Sequence, residues 1–137
     1  MKTTKILSLI VLAAVVLAVL CGCSSPVDMT ETEVIVKAEG KHTEGCETLE
    51  DYMAALQEAG KLSYVASDGM VTEINGKKAD YAADKTSWML YTDDEENSNS
   101  AWGTYEYDGK TLASASLGMG DLPLKEGAVY VWVIVKF

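Results

Sequence analysis

Residues 32–38, "TEVIVKA", are rich in β-branched side chains and run into the polar "EGKHTEG", a pattern that predicts a first strand followed by a loop. The period then becomes helical. In "TLEDYMAALQEAG" the apolar residues Leu49, Tyr52, Met53 and Leu56 recur on one face, Thr48 stands as N-cap with Asp51 at the capping-box position, and Gly60 supplies the stop. That face is predicted to lie on a sheet. Beyond it the period is two: "KLSYVAS" and "GMVTEI" meet at Ser67-Asp68-Gly69, and Asn75-Gly76 is the strongest local turn signal in the chain.

Residues 61–80 therefore read as strand-rich, and residues 87–92, "SWMLYT", as a further strand that enters the solvated loop "DDEENSNS". Alternating aromatics around Asp108-Gly109 predict a hairpin. In the terminal "AVYVWVIVKF", Val129, Val131, Val133 and Val135 point one way and Tyr130, Trp132 and Ile134 the other. A strand apolar on both faces belongs in the middle of a sheet. The expected class is α+β, one mixed sheet packed on a single helix, without internal repeats.

The N-terminus follows a different logic. Lys2 and Lys5 precede an apolar run from residue 6 to residue 20, broken only by Ser8. A membrane-spanning helix needs about 20 apolar residues, so the run reads as the signal peptide of an exported protein. The following Leu20-Cys21-Gly22-Cys23 resembles the lipobox of bacterial lipoproteins, with Cys23 as the lipidated residue. Acyl chains, palmitate among them, would hold the product at the extracytoplasmic face of the cell membrane. Residues 24–30, "SSPVDMT", read as a tether, and the domain is expected over residues 31–137.

Charge narrows the partners. With residues 1–22 set aside, nine lysines face 21 acids, a net charge of −12, and the chain has no arginine. Such a surface repels phosphate backbones and offers no bidentate forks for them, which excludes nucleic acid as a partner.

Chemistry is sparse. Once Cys21 leaves with the signal and Cys23 carries lipid, Cys46 has no partner for an internal disulfide. Cys46 and His42 could be taken for a nucleophile pair, but nothing in the sequence supplies an orienting group, and one His with one free Cys is too few ligands for zinc. Counted from Asp93, an EF-hand loop would want Gly and Glu where Ser98 and Thr104 stand, so the acid run 93–99 reads as a solvated loop, or at most a weak divalent-cation site. No phosphate loop, nucleophile elbow or placed carboxylate pair is legible. The expectation is a non-enzymatic chain with no metal and no resident cofactor.

At "GMVTEING", "WMLY" and "SLGMGDLPLKEG" the order and spacing resemble the C-terminal β-domain of transcobalamin and intrinsic factor, and more closely the bacterial family of small surface domains related to it. "ETLEDYMAALQEAG" is similar to that family's helix, so the resemblance covers nearly all of the exported chain. It implies a β-grasp-like fold and a binding module whose ligand is a corrinoid such as cobalamin, with a membrane transporter as partner. Carried over by motif, it implies Leu117, Gly118 and Met119 as ligand-binding residues, with Trp88 and Tyr91 as contacting or supporting aromatics. The chain departs from the carriers by inserting "DDEENSNSAWGTYEYDGKTLASA" between the two candidate segments.

The residues themselves allow this and a plainer reading. Glycine lets a backbone approach a ligand, and Tyr and Trp combine apolar area with a polar tip. Yet a strand Trp packs more often than it walls a ligand, and Gly118 and Gly120 also suit an ordinary turn. Seven Tyr and three Trp against one Phe favour a half-wet aromatic face, which a surface module for protein or glycan would use as readily, with Trp102 as its anchor.

Overall fold

Residues 25–137 are described by the computed structural model; Cys23 and the signal segment lie outside them. Three two-residue turns set the local folding. Asp68-Gly69, Asn75-Gly76 and Asp108-Gly109 all have positive φ at both positions, the type I′ geometry whose twist matches paired strands. They close β3 (Tyr64–Ser67) onto β4 (Met70–Ile74), β4 onto β5 (Lys77–Lys78), and β7 (Ser98–Tyr107) onto β8 (Lys110–Ala115).

The other strands are β1 (Val27–Met29), β2 (Glu33–Lys37), β6 (Thr86–Thr92) and β9 (Val129–Lys136). They form two sheets rather than one. Six strands run in the order β1-β2-β9-β6-β8-β7, and β3-β4-β5 form a separate small sheet. Every pairing is antiparallel. The expected single mixed sheet is thus corrected: tight turns let β3, β4 and β5 pair with each other, so none of them adds a parallel strand to the large sheet. β1 takes in residues assigned by sequence to the tether, because Val27 pairs with Val36 and is itself buried.

Helix α1 (Leu49–Glu58) starts and stops as its sequence demands. Thr48 Oγ1 accepts from the Asp51 amide while the Asp51 carboxylate accepts from the Thr48 amide. At the other end the Lys61 amide bonds the Leu56 carbonyl and the Gly60 amide bonds Gln57, a Schellman closure with Gly60 at φ 73°. Leu49, Tyr52, Met53 and Leu56 are all fully buried. The chain is α+β, with α1 and the small sheet packed on one face of the large sheet around Val34, Val36, Trp88, Leu90, Tyr130 and Trp132.

β9 is central, as its two apolar faces require. Its opposite face carries a second cluster of Ile35, Tyr91, Leu112 and Val131 flanked by half-buried Tyr105 and Tyr107. A single turn, α2 (Tyr81–Asp84), capped by Asp80, joins the strand-rich segment to β6. One local reading differs from the structure. The acid run is not all solvated: Asp94 is buried, and its carboxylate accepts from the Glu96 amide and the Asn97 side chain around the short 3-10 turn Glu95–Asn97.

Candidate functional site

The loop after β8 is held by the helix it faces. The first amides of a helix have no partner inside it. Here the Leu49 amide donates to the Leu122 carbonyl at 2.9 Å and the Glu50 amide to the Met119 carbonyl at 3.0 Å. Within the loop the Asp121 and Leu122 amides both return to the Gly118 carbonyl. Residues 117–122 are therefore a fixed turn docked on the start of α1, with Met119 and Leu122 fully buried and Leu117 and Gly118 exposed.

Trp88 meets this loop from the large sheet. It is 5% exposed, and its Nε1–H donates to the Lys77 carbonyl at 3.0 Å, which ties the small sheet to the large one. Between Trp88, the loop and the β3–β4 turn lies an apolar pocket of about 160 Å³. Leu117, Gly118 and Met119 line one side, Gly69, Met70 and Val71 another, and Trp88, Leu90 and Trp132 the floor. Met70 and Leu117 are exposed and form the mouth. On the other side of Trp88 a larger cleft of about 430 Å³ runs between Met29–Glu31 and Ile74–Lys77.

Four of the five residues implied as ligand contacts thus border one pocket; Tyr91 does not. It pairs with Val131 on the opposite face of the sheet and stacks on Tyr105 at 5.5 Å between ring centroids. The reason is parity: side chains alternate along a strand, so residues 88 and 91 cannot share a face. Gly103, where β7 bulges away from β8, stays close to Tyr91, since a Cβ there would lie 3.7 Å from the ring.

Met70 and Trp132 border the pocket without having been singled out. For Trp132 the signal was present, because it shares the alternation of Tyr130 and Ile134 on the face opposite the valines. For Met70 it was not, since only the pairing of β3 with β4 brings the turn over Trp88.

The remaining candidates are held by structure. The Cys46 thiol donates to the His42 backbone carbonyl at 3.4 Å rather than to the imidazole, and burial, with the Asp51 charge second, pushes its pKa up. The carboxylate of Asp93 accepts from the Val129 amide at 2.9 Å and lies near Lys110. Among the described residues no group of three or more His, Cys, Asp or Glu is placed to hold a metal ion. In comparisons with known proteins, no family model, no curated protein and no solved structure matches this chain.

Proposed function

We propose that this is a non-enzymatic surface lipoprotein whose domain binds a small ligand at the pocket between Trp88 and residues 117–119, for delivery to a membrane transporter. The ligand suggested by the resemblance to the transcobalamin and intrinsic factor β-domain is a corrinoid, and the β-grasp-like description of the fold belongs to the same reading. One observation carries it. A loop exposing Leu117 and Gly118 is fixed by backbone hydrogen bonds to a helix start, next to an apolar hollow with a buried Trp wall. Such preorganisation suits binding, because little is left to order when a ligand arrives. A hollow of this size admits only part of a corrinoid, the rest of which would lie over Met70 and Leu117.

In this reading Cys23 carries the lipid and the chain enters the sheet a few residues later, at Val27, so the pocket works at the extracytoplasmic face of the membrane. The test is tryptophan fluorescence of the chain lacking residues 1–23 on addition of cobinamide. Saturable quenching, lost in Gly118→Asp, is the expected result; no saturable change up to high ligand would remove the reading.

A second reading has its own observation. Trp102 sits in the bulge of edge strand β7 with 62% of its surface exposed, the disposition of an anchor for a glycan or polypeptide. It predicts binding to a glycan array that Trp102→Ala abolishes and Gly118→Asp leaves intact.

A further inference from the structure

β6 is paired along its whole length on one side only. β9 meets all seven of its residues, whereas β8 meets Tyr91 and Thr92 alone. The Phe137 amide donates to the Lys85 carbonyl and the Asp93 amide to the Val129 carbonyl, so the odd residues of this stretch turn their main-chain groups to β9. The N–H and C=O of Trp88 point the other way, into the seam that opens where β8 leaves. No strand, turn or loop of the described residues bonds them.

The pocket lies in that seam. Met89 and Ser114 border it although both belong to the far face of the sheet, Met89 in the Tyr91 cluster and Ser114 directly paired with Tyr91. They reach it through main chain, which places the edge of β6 along the pocket wall. This edge has none of the usual guards, since β6 carries no charge, no proline and no bulge. The outer strand β7 is guarded, by its bulge between Asn99 and Thr104.

We infer that the ligand is a peptide in extended form that adds to β6 at Trp88. One of its residues donates its N–H to the Trp88 carbonyl and accepts from the Trp88 amide, as an antiparallel neighbour does. Directly paired side chains share a face, so that residue sends its side chain into the hollow beside Met70, Leu117 and Met119. The hollow of about 160 Å³ suits one apolar side chain, since a cavity of about 150 Å³ takes one benzene ring. The lining bears no charge and the rim is acidic, with Asp68 next to Gly69 and the Glu50 carboxylate close to Gly120, so the flanks of the peptide are basic. This deepens the proposed function by naming a ligand class and rests on the pocket being the ligand site.

The experiment uses the ¹⁵N-labelled chain lacking residues 1–23, whose main core is built between Val27 and Trp132. Three capped pentapeptides are titrated: KVLVK, its depsipeptide with an ester oxygen in place of the leucine N–H, and KVGVK, which leaves the hollow empty. KVLVK is expected to move the Trp88 main-chain amide resonance downfield saturably and to bind about tenfold more tightly than either of the others. Equal affinities for KVLVK and its depsipeptide, or shifts centred on β7, would overturn the inference. Cobinamide, titrated in parallel, separates it from the reading it rests on. If cobinamide shifts the pocket residues and no peptide does, the inference falls and the site stands; if neither does, both fall.

Discussion

The Glu50 amide donates to the Met119 carbonyl at 3.0 Å, so the first turn of α1 and the loop of the pocket are one hydrogen-bonded unit. Helix capping and site geometry are coupled through it. Thr48→Ala, which removes the side-chain acceptor for the Asp51 amide, is expected to cost about 1 kcal/mol in urea unfolding. It should also speed hydrogen exchange at the Glu50 amide. Unchanged exchange there would mean that the loop is held independently of the cap.

The same cap gives an acid dependence. The Glu47 and Thr48 amides hold the Asp51 carboxylate below its ordinary pKa of 3.8. A depressed folded-state pKa contributes stability that is present above the unfolded value and lost as pH falls through the folded one. The stability gap between wild type and Asp51→Asn should therefore be full at neutral pH and close as pH drops below about 4. A gap constant from pH 7 to pH 2.5 would contradict this.

Gly118 separates space from charge at the mouth. Its φ lies outside the positive region, and a Cβ there would make only an ordinary 3.6 Å contact with the Gly69 carbonyl. Gly118→Ala is expected to alter stability by no more than about 0.5 kcal/mol. Gly118→Asp sets a carboxylate beside an apolar hollow and should weaken cobinamide binding about tenfold or more, because the ligand must desolvate that charge. Calorimetric titration of both variants checks the pair.

Tyr91 and Trp88 should behave oppositely. Tyr91→Phe keeps the stack on Tyr105 on the far face of the sheet, so cobinamide affinity is expected within about twofold of wild type. Trp88→Phe loses both the bond to Lys77 and part of the pocket wall. It should cost about 2 kcal/mol in stability as well as ligand affinity.

What could be read from the sequence was local. The helix caps at Thr48 and Gly60, the Asx-Gly turns and the two-faced β9 are set by residues within a few positions of one another, and all stand as expected. The division into two sheets depends on which distant strands pair, and a period-two pattern does not state its partner. β1 shows this most plainly: Val27–Met29 is too short to announce a strand and becomes one only against β2. Asp94 likewise reads as part of an acidic run until Thr92, Glu96 and Asn97 close around it. The motif named Leu117 to Met119 and Trp88, four of the residues that line the candidate pocket. The exclusion of Tyr91 was legible too, from a spacing of three in a strand.

Ligand binding at the pocket is tested most directly by an amide and indole shift map of the ¹⁵N-labelled chain lacking residues 1–23 on titration with cobinamide. Saturable shifts are expected, concentrated at Met70, Trp88, Leu117, Gly118, Met119 and Trp132. Shifts centred instead on Tyr91, Trp102 and Tyr105, or none at all, would contradict it.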